Sequence, residues 1–564
     1  MLIDPLPPFV ILFAAALLVP LTRGYLRCAL LLAAPVLGGV NLIGIEHGIH
    51  LQVPFLDYVL VPYRADRLSL LFGYLFHIAT FIGLLFALHV RDTGQHVAAL
   101  LYAGSAVGAV FAGDLITLFI FWELLALTSV FLVWARRTPV ALRAGFRYLI
   151  IQVFSGVLLL SGVLIHAHQT GDITFEYLGL DGLASALIFL AFGIKCAFPL
   201  LHNWLTDAYP EATPTGTVFL SAFTTKVAVY ALARGFPGTE ALIYIGAVMT
   251  CFPIFYAVIE NDLRRVLGYS MINQLGFMVC GIGMGTALAV NGAVAHAFND
   301  VIFKGLLMMS MGAVLYRTGE MRGSELGGLY KSMPKTAALC IVGAASISAF
   351  PLFSGFVSKS LVMSAALEEG YHWVWIALLF ASAGVFHHAG IKIPFFAFFA
   401  HDSGIRVEEA PRNMLIAMCI AAVLCIGIGS YPAPLYALLP YDVDYTPYDT
   451  THVLAQLQLL FFSALAFTWL KLAGYYPPEL RSVNIDAEWV YRWLAPRTVG
   501  AIGSAVKTVD GGVRRAFLDG VTLLISGVSR HHGPDSTLAR TWPTGGMVLV
   551  VTVLLGAVLV FYFI

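Results

Sequence analysis

The chain is predicted to be an all-α polytopic membrane protein of about sixteen transmembrane helices. Three observations carry that reading. Its 564 residues are 59% hydrophobic and only 11% charged, whereas a soluble domain is near half apolar and a quarter charged. The apolar residues gather in runs of membrane length. Five lysines and a glutamate lie inside such runs: Lys195, Lys226, Lys304, Lys359, Lys392 and Glu123. Each charge at bilayer mid-depth costs about 2.5–3.5 kcal/mol, so six are too many without a use. Lysine can lose its charge in dry surroundings, and an array of switchable charges points to a proton path.

Residues 1–95 hold the first spans (6–22, 25–45 and 67–89). The N-terminus has no basic segment before its apolar run and no cleavage site, so that run is expected to be a retained helix. A five-helix repeat is expected over 96–235 (96–112, 114–134, 143–166, 182–206, 214–235) and a second over 238–400 (238–260, 265–283, 290–316, 336–363, 372–400). Ala197-Phe198-Pro199-Leu200 and Ala349-Phe350-Pro351-Leu352 recur 152 residues apart. Each proline breaks its helix in mid-span, and repeats of odd helix number are inverted, with the ion site beside the breaks. Residues 401–472 carry spans 412–430 and 451–472, and 544–564 carry the last, 545–563. Between them, 473–543 mixes Trp489, Tyr491, Trp493, Val506, Phe517, Leu523 and Leu524 with Arg492, Lys507, Arg514 and Arg515. That is an amphipathic surface helix on the cytoplasmic side, interrupted near Pro496 and weakened at Gly511 and Gly512, or an ordinary loop.

Charge fixes the expected orientation. With the N-terminus outside, only Arg64, Arg67 and Arg234 of the 32 Lys and Arg fall on the outer side, as the positive-inside rule asks. The outer loops are acidic, with Asp172, Glu176 and Asp181 in one and Asp442, Asp444 and Asp449 in another. Formal net charge is zero, which offers nucleic acid no basic surface. The seven cysteines are scattered without CxxC spacing and read as small buried hydrophobes, so neither a metal nor a cofactor is expected.

Glu123 needs a partner or a proton, and Lys195, four residues before a proline break, is its natural mate. The pair is a proton gate or a static ion pair. Lys226 lies among Ser221, Thr224 and Thr225, whose hydroxyls can host water. His296, Asp300 and Lys304 stack on one helical face, with Asp300–Lys304 an i,i+4 pair. Lys359 lines the path or snorkels to the surface. Lys392, near His387 and His388 and just before Pro394, is an exit, a contact to a neighbouring subunit, or a structural lysine under a kink. Tyr269, Ser270, Asn273 and Gln274 make their span polar enough to hold water.

Several stretches, in order over residues 60–400, resemble a known family: Trp122-Glu123-Leu124 after an Asp-Leu; Lys195 leading into Phe198-Pro199-Leu200-Leu201-His202-Asn203-Trp204-Leu205-Thr206-Asp207-Ala208; Pro214-Thr215 and Lys226; Asp262-Leu263-Arg264-Arg265; Gly327-Gly328-Leu329-Tyr330-Lys331; and Ala345-Ser346-Ile347-Ser348 through Lys359. These are similar to the antiporter-like proton-pumping subunits of Mrp cation/proton antiporters, respiratory complex I and membrane-bound hydrogenases, with the D-type Mrp protein as the nearest likeness. The resemblance implies a central hydrophilic axis. It implies a gating pair Glu123–Lys195 and a relay through Lys226, His296, Lys304 and Lys359. The polar residues His202, Asp207, Tyr269, Ser270 and Gln274 are expected to support it. Asp300 stands where the family often has a second histidine, and Gln274 where it often has another.

The expected role is the proton-translocating subunit of a multi-subunit Mrp-like cation (sodium)/proton antiporter, a transporter and not itself an enzyme. Its expected partners are other membrane subunits, protons, a monovalent cation and the lipid bilayer of a bacterial or archaeal inner membrane. The alternatives are a pumping subunit of complex I or a hydrogenase, and a membrane subunit energising inorganic carbon uptake.

Overall fold

Thirteen helices among the described residues are long and apolar enough to cross a bilayer. The computed structural model describes residues 6–442, 444–480, 484–536 and 538–564. Residues 481–483 and 537 of the expected surface segment lie outside them. Contacts divide the chain into two units, Met1–Asn484 and Ile485–Ile564.

In the first unit, α1 (Pro8–Leu18) and α2 (Gly24–Asn41) precede an antiparallel hairpin, β1 (Gly48–Phe55) and β2 (Tyr58–Ala65). The hairpin was not expected from the sequence. Asp66 starts α3 (Arg67–Ala87) with a capping box to Ser69. Asp92 caps α4 (Thr93–Phe111), and Asp114 caps α5 (Leu115–Trp134) by accepting from the Thr117 N–H. Thr138 and Pro139 open α6 (Pro139–Thr170). The interrupted stretch follows: α7 (Leu183–Lys195), α8 (Asn203–Ala208), α9 (Gly216–Ala222) and α10 (Thr224–Gly235).

Next come α11 (Glu240–Ile259), α12 (Leu263–Met284), α13 (Ala287–Thr318), α14 (Pro334–Ile347), α15 (Ser354–Glu368) and α16 (His372–Val385). α16 runs into π-helical turns at Phe386–Lys392 and Phe395–Phe399. α17 (Arg412–Ser430), the single turn α18 (Ala433–Tyr436) and α19 (Thr450–Leu472) complete the unit. The most apolar windows of α12, α13 and the α9–α10 pair are wholly buried, whereas only 39% of the α6 window and 17% of the α19 window are. The polar helices thus form the middle and the apolar ones the rim, as a bilayer solvent requires.

Three of the sixteen expected spans are shorter apolar helices: Pro8–Leu21, Leu183–Lys195 and Pro334–Ile347. The last two end where the repeated tetrapeptides begin. In both, the alanine and leucine are left-handed (Ala197 φ 62°, Leu200 φ 69°; Ala349 φ 58°, Leu352 φ 74°). In both, the alanine and phenylalanine N–H groups close on the preceding turn (Ala197 to Ile194 and Phe198 to Gly193; Ala349 to Ser346 and Phe350 to Ala345). The four-residue match is therefore one backbone turn used twice.

In the second unit, a π-helical turn (Val490–Leu494) leads into α20 (Ala495–His532), 38 residues long, and α21 (Thr544–Phe563) follows. Pro496 lies in the first turn of α20, where its missing N–H is harmless. The expected interruption is thus the helix start, and Gly511 and Gly512 are accommodated within α20.

Candidate functional site

Four buried lysines, Lys195, Lys226, Lys304 and Lys359, come from α7, α10, α13 and α15, and a freed or polar acceptor meets each one. Lys195, the last residue of α7, is fully buried. Its Nζ donates to the Trp122 carbonyl and lies 4.4 Å from that indole's centre. Lys226 follows the interruption at Phe223, where the Tyr102 hydroxyl accepts from the Thr224 N–H at 3.1 Å. Its Nζ donates to the Ser221 carbonyl at 3.3 Å and pairs with Asp300 Oδ2 at 2.5 Å. Lys304 donates to Ser270 Oγ at 2.8 Å, and Lys359 to the Ile347 carbonyl at the end of α14 at 2.7 Å.

Asp300 sits among these lysines. It pairs with Lys226 across to α10, not with Lys304 one turn along its own helix. Its charge also acts on Lys304 and Lys359, and the charges of Lys226, Lys304 and Lys359 act on His296. The expected i,i+4 pair is therefore replaced. An interhelical partner brings the carboxylate to an ammonium with no carboxylate on its own helix, while Ser270 satisfies Lys304.

The protonation of His296 is set from the backbone. Asn273 donates to the Thr250 carbonyl at 2.5 Å, which turns Asn273 Oδ1 toward Gln274 Nε2 at 2.6 Å. Gln274 Oε1 then faces His296 Nε2 at 3.1 Å. An amide oxygen only accepts, so Nε2 carries the hydrogen. Nδ1, 3.0 Å from Ser358 Oγ, is left as the atom that gains or loses a proton. Gln274 is thus a tautomer-setting group.

Other expectations are corrected. Glu123 and Lys195 feel each other's charge but form no ion pair among the described residues. The buried Glu123 Oε1 has no hydrogen-bond partner and fills the space over Gly156, where any Cβ would collide with it. Lys359 does not snorkel; it is 2% exposed. Asp207 is clamped by Arg147 (2.6 and 2.9 Å), fastening α8 to α6. His202 packs on Phe252, with ring centres 4.7 Å apart, and Tyr269 stacks on Tyr256 at 5.2 Å. Lys392 stands under the π-helical kink and binds the Val258 carbonyl, the Glu260 carbonyl and Glu479 at 2.7, 2.7 and 2.9 Å.

Sequence reasoning missed Arg264, fully buried, which donates to the Pro210 and Ala212 carbonyls (2.9 and 3.1 Å) and so holds the chain leading into α9. It also missed Glu479, which lies outside every apolar run. Among the described residues, no three His, Cys, Asp or Glu side chains gather as metal ligands.

Known proteins resemble this chain in sequence and in fold. The family model described as NADH:quinone oxidoreductase/Mrp antiporter, TM, matches residues 112–386. Hydrogenase-4 component B of Escherichia coli is 28% identical over 373 residues, which is 58% of this chain but only 55% of that protein. The chain thus spans about half of that relative's length. The D-type component of the Na(+)/H(+) antiporter of Alkalihalophilus pseudofirmus is 30% identical over 359 residues, 59% of this chain and 72% of that one. A chain of the Mrp complex from Dietzia sp. superposes with TM-score 0.69 at 22% identity, covering 83% of this chain and 99% of its own. A chain of the membrane-bound sulfane sulfur reductase, an archaeal respiratory membrane complex, superposes with TM-score 0.70 at 20% identity, covering 98% of this chain and 99% of its own. At these identities the structural matches speak for fold alone. This multi-pass membrane chain belongs to the family of transmembrane subunits shared by NADH:quinone oxidoreductases and Mrp antiporters.

Proposed function

We propose that the chain carries protons across the membrane as one subunit of an Mrp-like cation/proton antiporter, in exchange for sodium or another monovalent cation. The observation that carries this reading is the Lys226–Asp300 pair, fully buried and within electrostatic reach of Lys304 and Lys359. One carboxylate cannot neutralise three ammonium groups at once. A proton arriving at one lysine therefore competes for Asp300 and favours release from another, so the group titrates as a unit. His296 Nδ1 offers a second landing point. Lys195, held by a carbonyl with Glu123 nearby, is the gate: closing the pair keeps its ammonium, and opening it frees a proton. The N-terminus is outside, the membrane is a bacterial or archaeal inner membrane, and partner subunits complete the cation path.

In inverted vesicles, Lys195→Ala and Lys304→Ala are each expected to cut cation-driven proton movement at least tenfold while partner subunits still co-purify. Wild-type rates in both would remove the reading. A second reading, the membrane arm of a redox-driven complex, is favoured by the likeness to hydrogenase-4 component B. Co-purified iron–sulfur subunits would select it over the antiporter.

A further inference from the structure

The loop after α19 inserts one carboxylate into the first unit. Tyr476 anchors it, packing on Phe467 (5.1 Å) and His387 (5.5 Å), and Lys471 lies over the Tyr476 ring at 5.4 Å. Three residues on, Glu479 reaches Lys392, which is 0% exposed. Two of the Lys392 acceptors are neutral carbonyls at the C-terminal end of α11, where the helix dipole also favours a cation. The third contact is the Glu479 carboxylate, an ion pair at 2.9 Å. The nearby Glu260 carboxylate is turned to the Asn261 and Asp262 N–H groups and to Asn484. Glu479 is thus the countercharge in contact.

His388 lies one turn before Lys392 and is fully buried. Neither ring nitrogen is hydrogen-bonded among the described residues, and the Gly384 carbonyl lies beside it without hydrogen-bond geometry. The charges that act on it are those of Lys304, His387 and Lys392. His388 therefore feels both Lys304 of the lysine cluster and Lys392 of the Lys392–Glu479 pair. The neighbouring α14 and α19 contribute Ser348 and Gln456 here, both neutral. The other ionisable groups facing Glu479 are Glu260, Lys471 and Tyr476.

We propose that Glu479 is a positioning residue for proton transfer, the countercharge that keeps the buried Lys392 ammonium from acting on His388 and, through it, Lys304. The proposal rests on the reading that the lysine cluster carries protons. Without Glu479, an uncompensated positive charge faces the cluster. It disfavours the protonated forms of His388 and Lys304, which then load only at lower pH. Burial pushes the Glu479 carboxyl above the usual carboxylate range, against the pull of Lys392 and Lys471. The countercharge is therefore lost on acidification earlier than an exposed glutamate's would be, which makes this loop a pH-sensitive input to the relay.

The test is cation-driven proton movement against pH in inverted vesicles holding the assembled complex. Glu479→Gln is expected to move the half-maximal pH down by roughly half a unit or more. Glu479→Asp, which keeps the charge, should stay near wild type, and Lys392→Met/Glu479→Gln, which removes both charges, should return toward it. A Glu479→Gln profile superimposed on wild type overturns the proposal, as do equal shifts in the Gln and Asp variants. If Glu479→Gln does not assemble, the double variant decides: an assembled complex with a wild-type profile supports the countercharge, and failure to assemble assigns Glu479 to packing. Wild-type vesicles that move no protons with any cation would instead remove the relay itself.

Discussion

Asp300 and Lys226 are each 0% exposed and are held together by charge alone at 2.5 Å. Removing one member of such a pair leaves the other buried and unpaired, at about 3–5 kcal/mol, whereas replacing both by apolar groups is often neutral or stabilising. Asp300→Asn is therefore expected to lower the thermal midpoint in detergent, and Lys226→Met/Asp300→Leu to recover it. Transport should stay lost in both. A double variant that regains both stability and transport would show that the pair is only structural. Lys226 also needs the Ser221 carbonyl, which is free because the helix is interrupted at Phe223.

At the scale of the element, the helix breaks place the lysines. Ile347 ends α14, and its carbonyl, with no helical partner beyond it, takes the Lys359 ammonium. The turn that exposes it needs Ala349 at φ 58°. A β-branched residue held in that region costs about 1–3 kcal/mol. Ala349→Val should thus lower the thermal midpoint and slow proton movement, while Ala349→Gly should leave both near wild type. Equal midpoints for the Val and Gly variants would mean the turn is not held as described.

At the scale of the whole first unit, charge is arranged by face. The three arginines expected on the outer side each meet an acid: Arg64 with Glu176 at 3.6 Å, Arg67 with Asp442 at 2.7 Å and Arg234 with Asp66 at 2.6 Å. Burial alone would raise the Asp66 carboxyl, but the Arg234 guanidinium and the Ser69 N–H hold it below the usual range. A depressed carboxylate stabilises the fold above its unfolded value, near 3.9, and that contribution fades as pH falls through its folded value. Asp66→Asn, which keeps a side-chain oxygen for the cap but loses the charge that faces Arg234, should cost about 1.5–3 kcal/mol at neutral pH. Its thermal midpoint should approach wild type as the pH drops below about 4. A constant difference across that range would exclude ionisation as the cause.

The linear chain by itself determined the solvent, the helices and the suspects. Apolar runs of bilayer length, arginines crowded on one side and a proline tetrapeptide used twice are local signals, legible in order of residues. Glu123 and the five lysines were conspicuous because a charge in hydrocarbon is costly. Tertiary structure alone decided the pairings. Asp300 turned to Lys226 instead of Lys304, Lys195 to a carbonyl instead of Glu123, and Lys392 to Glu479. The hairpin at 48–65 and the buried Arg264 were likewise hidden. The physical reason is that a buried charge is satisfied by whichever acceptor packing brings nearest, and that acceptor is often a backbone carbonyl, which every residue carries and no motif reveals.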